Sequence, residues 1–362
     1  MTFHAIPRAL VCLLFAWTTV HAEPAALQTP DKILVATWNL ENLFDTVTNQ
    51  PGGADEEFTP QSWRRWTPAR LDTKLDNLAW VIDRMKPDVL CVAEVENRAV
   101  LQQLADRIQR NHGWTFDHIA HEDSPDFRGI DTAVLSRHPI ASSRLFRHED
   151  RRGSMIATVD IGGAELTLLA NHWKSQSGDR DENIAIRTAE ALAVRGEALK
   201  ILERDPAAAV VIAGDFNVDF DDPCLTVSFK ASTERSRAEG TSGAGTVFYN
   251  LLGDIPAAQR GSYYYARRKV WNTFDAILVA PKMLLPPDAP GPPWRASSPE
   301  SRATLTYALA PMREPGDGRP KAFRRVRIQG MPENYYVEGY ADHFPAITTL
   351  RRAQAAPDAT KP

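Results

Sequence analysis

Cysteine is scarce in this sequence, with 3 in 362 residues. Cys12 falls in an N-terminal leader, so Cys91 and Cys224 remain, and one possible pair excludes a disulfide-built scaffold. The two could pair in an oxidising compartment, but Cys91 lies inside the apolar run Asp88 to Val95 and reads as free and buried. An excess of one charge is missing as well. Lys and Arg number 42 against 46 acidic residues, a formal net charge of −4, which excludes unspecific coating of nucleic acid but leaves room for a local basic patch. Beyond the leader there is no long uncharged apolar run and no internal repeat, so neither a stable membrane anchor nor a solenoid is expected. The leader places Arg8 ahead of apolar Ala9 to Trp17 and ends in Val20-His21-Ala22, a small-x-small cleavage site. This pattern predicts a signal peptide over 1–22 and an exported protein, periplasmic or secreted, which is expected to be a monomer. At this length one large α/β domain is as plausible as two; the Pro-rich stretch over about 281–339 reads as an insertion, not a second domain, and 352–362 as a disordered tail.

What the sequence does contain is a series of apolar strands that end in polar groups. Val210 to Ala213 is apolar on both faces, as a central strand requires, and runs into Gly214-Asp215-Phe216-Asn217. Asp215 and Asn217, two apart, project to one side. Ile33 to Asp45 repeats the pattern with Asn39 and Glu41. A helical face of Leu75, Leu78, Ala79, Ile82 and Met85 leads to the strand Asp88 to Glu94, which closes a βαβ unit and leaves Glu94 at a third strand end. Asn97 is placed to cap a helix carrying Leu101, Leu104 and Ile108. Met155–Asp160 and Glu165–Ala170 read as a hairpin that exits into Asn171-His172-Trp173-Lys174. The next helix, about Asp181 to Glu203, is expected to turn Ile184, Thr188, Leu192, Leu199 and Leu202 inward. Trp271 to Val279 reads as one strand with Asp275 embedded, where a carboxylate must find a partner. Asp342-His343 stands directly before the last strand.

Taken in order, TWNLENLFD, DVLCVAEVEN, GIDTAVLSRHPI, ANHWKS, GDFN, NTFDAILV and ADHFP resemble the motifs of the endonuclease/exonuclease/phosphatase (deoxyribonuclease-I-like) superfamily, in particular its bacterial secreted branch, over about Ile33 to Leu350. The resemblance implies one domain over 31–351, an α/β four-layer αββα sandwich of two packed mixed β-sheets, and a Mg2+-dependent phosphodiesterase, with Mn2+ or Ca2+ as substitutes. It implies Glu94 as the principal metal ligand, with Glu41, Asn39 and Asp342 around it. Asp215 and Asn217 would orient water and the scissile phosphate, His343 would be the base held by Asp275, and His172 would bind phosphate or protonate the leaving group. Glu96 competes with Glu94, because a one-residue shift turns the other side chain inward. Arg128 and Lys174 are candidate phosphate contacts. Tyr263, Tyr264 and Tyr265 with Arg267, Arg268 and Lys269 could stack on a nucleic-acid strand, or form an edge strand of alternating tyrosines. Nucleic acid, DNA first, is the expected substrate of a nuclease of the endonuclease type. A phosphatase or a phospholipid or inositol-phosphate phosphodiesterase of the same superfamily is the alternative, ahead of a non-catalytic binding module.

Overall fold

Alternation along the first strand sorts the molecule into layers. In β1 (Lys32–Leu43), Ile33 and Val35 enter one buried cluster and Ala36, Trp38 and Leu40 enter another, because successive side chains leave a strand on opposite faces. The computed structural model describes residues 30–49, 53–148, 152–327 and 335–354; the expected signal peptide and most of the expected tail lie outside the described residues.

In chain order β1 is followed by α1 (Pro68–Met85), β2 (Val89–Val95), α2 (Arg98–His112), β3 (His118–Ala120), β4 (Asp131–Ser136), β5 (Ile140–Arg147), β6 (Gly153–Asp160) and β7 (Glu165–His172). Then come α3 (Arg180–Arg204), β8 (Val210–Asp215), β9 (Ala231–Ser232), β10 (Phe248–Asn250), the hairpin β11 (Tyr263–Tyr265) and β12 (Val270–Asn272), and β13 (Asp275–Val279). The chain closes with β14 (Trp294–Ala296), β15 (Leu305–Thr306), β16 (Arg324–Arg327), β17 (Tyr335–Glu338) and β18 (Ala346–Arg352). One sheet has the order β14-β18-β1-β2-β4-β3, with β15 on β18; the other runs β5-β6-β7-β8-β13-β10-β9. Both are mixed: β1 pairs parallel with β2 but antiparallel with β18, and β7 pairs parallel with β8 while β13 is antiparallel to β8.

Val35, Cys91 and Val134 of the first sheet share a core with Leu168, Ala170 and Val211 of the second, and the outer face of the first sheet is covered by Leu75, Ile82, Leu101 and Leu104 of α1 and α2. With α3 on the second sheet the order of layers is αββα. Local signals agree. Thr67 accepts the Arg70 N–H and Pro68 opens α1, and Asn97 caps α2 through the Val100 N–H. Cys91 and Cys224 are both free and buried. No helix among the described residues is long and apolar enough to cross a membrane.

Two expectations are corrected. The first concerns α3, where Leu192 is 55% exposed and Ile184 is exposed as well, while Asn183, Arg187, Glu190 and Arg195 are buried. The helix lies over irregular backbone that needs partners: Arg195 donates to the carbonyls of Phe229 and Ala244, Arg187 to those of Lys174 and Ser175, and Glu190 accepts the Lys174 N–H. Polar residues therefore face inward beside Ala191, Val194 and Ala198, Leu192 faces water, and Leu202 packs against the core as expected. Second, the stretch Trp271 to Val279 is two strands, so Asp275 opens β13 and is not embedded in it. The Pro-rich stretch contributes strands of its own, since Trp294–Ala296 and Leu305–Thr306 pair with β18.

Candidate active site

Strand direction brings the polar ends together. β1, β2, β7 and β8 finish at one edge of the sandwich, and β13 and β18, antiparallel to their neighbours β8 and β1, begin there. Asn39, Glu41, Glu94, His172 and Asp215 arrive on strand ends, Asp275 on a strand start, and Asp342 and His343 just before one. Gly214 permits a close approach: it has φ +148°, and a Cβ there would lie 2.0 Å from the Asn171 carbonyl oxygen. Only glycine lets β7 and β8 carry His172 and Asp215 side by side.

Four non-glycine residues here adopt left-handed backbone: Glu41 (φ 52°), Asn42 (φ 55°), Glu94 (φ 59°) and Asn217 (φ 53°). The β1–β2 register breaks between Asn39 and Leu43, and the β2–β4 register between Ala93 and Val95. These bulges re-aim side chains at about 1–3 kcal/mol of backbone strain each. Glu94 consequently lines the cleft, whereas Glu96 turns away, accepts the Asp45 N–H at 2.7 Å and has its carboxyl pushed up to about 8 by burial. Of the two glutamates, Glu94 is the one that faces the cleft.

The cleft has a volume of ≈ 530 Å³ and is lined by Glu94, Arg128, Arg152, His172, Asp215, Asn217, Asp342 and His343, together with one face of the β11–β12 hairpin. His343 Nδ1 lies 2.7 Å from Asp275 Oδ2, so the ring nitrogen donates to the carboxylate, and Nε2 faces Asp215 Oδ2 at 3.8 Å. Burial alone would lower the imidazole pKa, but Asp275, Asp215 and Asp342 hold it well above its ordinary value. The Asp215 carboxyl is itself raised to about 7, by burial first and Asp275 next, against the pull of His343. The two therefore titrate as a unit with a strong hold on a proton. His172 stays neutral, because burial and the nearby cations Arg152, His343 and Arg128 push its pKa well down. Asn217 is fixed by its N–H to Asp215 Oδ1 and by its Nδ2 to the Trp173 carbonyl. Trp38 Nε1 donates to the His343 carbonyl and anchors that segment.

Glu94 and Asp342 line the cleft as hard oxygen donors, with Glu41 close behind. Glu94 accepts from Asn39 Nδ2 at 3.2 Å and from the Asn42 N–H at 3.0 Å, which fixes the carboxylate and leaves lone pairs for the cleft. Burial and mutual repulsion raise Glu41 to about 8 and raise Asp342 as well, and Lys74, a buried side chain donating to the Glu41 carbonyl, is drawn into this group. Crowded carboxylates whose charge is unfavourable suit a magnesium-like cation, which asks for one or two carboxylates and keeps its waters. The Asn39 side chain is engaged at both of its polar atoms. Its amide nitrogen points at Glu94 and Asp215 and its carbonyl accepts the Glu41 N–H, so it positions the carboxylates. Glu41 also binds the Phe323 N–H. A separate group outside this cleft, His121, Asp123 and Asp131, brings its ligand atoms within 4.8 Å of one another, with His121 Nδ1 3.9 Å from Asp123 and Nε2 3.5 Å from Asp131, and Nε2 has no hydrogen-bond partner.

Of the cations, Arg128 reaches the cleft and donates to Asn42 Oδ1, whereas Lys174 does not line the cleft and its Nζ donates to the carbonyl of Ser177, which does. Arg152, which sequence reasoning missed, is 9% exposed, donates to Asp126 and places Nη1 2.9 Å from both ring nitrogens of His172. Lys74 was missed as well. The spacing of α1 gives its inward side, and a lysine on that side is the signal that could have found it.

A model described as the Endonuclease/Exonuclease/phosphatase family matches residues 34–352. No curated protein matches the chain. Similar solved structures include TDP2 from Caenorhabditis elegans (14% identity, covering 88% of this chain and 74% of that one, TM-score 0.52). Others are an endonuclease/exonuclease/phosphatase from Beutenbergia cavernae (16%, 91% and 74%, 0.51) and a mannosyl-6-phosphatase from Bacteroides thetaiotaomicron (14%, 88% and 99%, 0.50). At these identities the likeness shows the fold.

Proposed function

Because the chain belongs to the endonuclease/exonuclease/phosphatase family, we propose that it is a magnesium-dependent phosphodiesterase that hydrolyses nucleic acid, an endonuclease acting on DNA. The observation that carries this reading is the convergence, in one cleft, of Glu94 and Asp342 with the Asp275–His343–Asp215 chain and the arginines Arg128, Arg152 and Arg268. Glu94 and Asp342, with Glu41 behind them, would hold the metal, which when bound neutralises phosphate oxygens and acidifies water. The protein's own groups do the rest. The Asp215–His343 pair takes the proton from the attacking water, with Asp275 fixing the tautomer and orientation of the imidazole. Asn217 positions the water or a phosphate oxygen, and Arg128 and Arg152 neutralise the phosphate. His172, neutral and touching Arg152, is placed to donate a hydrogen bond to the phosphate or to the departing oxygen.

The test is cleavage of DNA by the purified chain with magnesium or with chelator, alongside a small phosphodiester and a phosphomonoester. DNA cleavage that the chelator abolishes supports the reading. Hydrolysis of the small esters with DNA left intact would replace it by the phosphatase-type alternative. Export belongs to the same proposal and rests on the pattern of residues 1–22. N-terminal sequencing of protein recovered outside the cytoplasm should begin after Ala22; an intact Met1 in the cytoplasm would contradict it.

A further inference from the structure

The β11–β12 hairpin overhangs the cleft, and its register divides its residues between two faces. Tyr263 pairs with Asn272 and Tyr265 with Val270, and all four line the cleft; Tyr264 pairs with Trp271 on the opposite face. The back face is anchored, since Trp271 lies against Tyr264 at 5.2 Å and stacks on Phe344 at 6.1 Å. On the front face Tyr263 is already engaged, stacked on Phe274 at 5.2 Å and tilted against His343 at 4.8 Å. Tyr265 and Val270 continue this wall outward and remain 38% and 45% exposed. At the turn, Arg268 lines the cleft, with Arg267 and Lys269 beside it. Arg128 and Arg152 also line the cleft.

We infer that the Tyr265–Val270 face of the hairpin is a stacking shelf for the nucleobase next to the scissile phosphate, and that it makes the enzyme selective for unpaired strands and strand ends. This rests on the nucleic-acid reading above and narrows it. An aromatic plane that leads away from the imidazole and ends in cations matches a nucleotide, which joins a flat ring to an anion. An aliphatic lipid tail fits less well, because between Tyr265 and Val270 the turn holds Arg267, Arg268 and Lys269 and only Ala266 as an apolar residue. A base inside a duplex has both faces covered by its neighbours. To lie on Tyr265 it must be unpaired and free on one face.

The test compares oligothymidylate with a base-free strand of the same length and charge, made of tetrahydrofuran abasic units, and with the thymidylate strand in duplex. The wild-type chain is expected to cleave the single thymidylate strand about 5- to 150-fold more efficiently, in kcat/KM, than the base-free strand. It should also cleave that strand faster than the duplex. Tyr265→Ala should bring the base preference close to one, and Tyr265→Trp should keep it, with melting curves showing both variants folded. Equal cleavage of both strands by the wild type, or a preference that Tyr265→Ala leaves intact, would overturn the shelf while sparing the nuclease reading. Hydrolysis of a small ester with neither strand cut would overturn both.

Discussion

At Glu94 the chain accepts a left-handed φ of 59° so that one carboxylate points into the cleft, and the Asn39 and Asn42 donors then fix it. Such strain persists only where the surroundings over-determine it. If Glu94 is the principal ligand, Glu94→Gln should weaken magnesium binding measured by calorimetry, and raising the metal concentration should partly restore activity. Unchanged binding would take Glu94 out of the metal site. His343→Ala should lower kcat by about 10²- to 10⁴-fold, the ordinary worth of a positioned proton-transfer group. Asp275→Asn should lower it less, because the imidazole keeps its place but loses the carboxylate that fixes its tautomer; a larger loss for Asp275→Asn than for His343→Ala would contradict that order. His148 makes a different prediction. Burial holds it at about 4 against an ordinary 6.5, with Nε2 2.9 Å from Ser154 Oγ. Its folded pKa is depressed, so between pH 6.5 and 4 the unfolded chain takes up a proton that the folded chain refuses, and stability falls as pH falls. The loss should reach up to roughly 3 kcal/mol, and His148→Gln should flatten that part of a denaturation profile. An unchanged slope would mean that His148 is protonated in the folded chain.

At the level of elements, the site is a product of strand direction and close packing. Gly214→Ala would drive a Cβ into the Asn171 backbone, so β7 and β8 would have to part. The expected outcome is a loss of several kcal/mol of stability, in the range of the large strain effects, together with lost activity because His172 and Asp215 separate. Wild-type melting behaviour in that variant would show that the two strands have slack. Much of this level was legible in the sequence. The strands that end in Asn39, Glu94, His172 and Asp215 announce themselves by apolar runs that stop at polar residues, and α1 and α2 by their spacing and caps. Other features were hidden for physical reasons. A bulge adds one residue without changing composition, so the choice between Glu94 and Glu96 could not be read from the pattern. The inward face of α3 could not be read either, because what it covers is irregular backbone demanding hydrogen bonds, and that demand is tertiary. Arg152 and Lys74 were invisible for a related reason: long cationic side chains are usually solvated, and only the packing of β6, β7 and α1 shows these two to be buried. The break at Thr273 and Phe274 that makes Asp275 a strand start depends on Asp219, which accepts both the Thr273 N–H and its hydroxyl.

For the molecule as a whole, two sheets packed face to face present one edge to solvent with the chemistry gathered on it, and the net charge of −4 leaves substrate attraction to the few cations at the cleft. Three arginines, Arg128, Arg152 and Arg268, line it. If these make the phosphate contacts, binding to single-stranded DNA should weaken with salt at a log–log slope of about −2, from roughly 0.7 per phosphate neutralised. A slope beyond about −5 would require a basic surface elsewhere. The most direct measurement of the central claim uses circular single-stranded DNA, which has no ends, incubated with the purified chain in magnesium or in chelator, beside the His343→Ala variant. Conversion of the circle to linear fragments in magnesium, absent with chelator and absent in the variant, is the expected result. An intact circle in magnesium, under conditions where the same preparation hydrolyses a small phosphate ester, would contradict it.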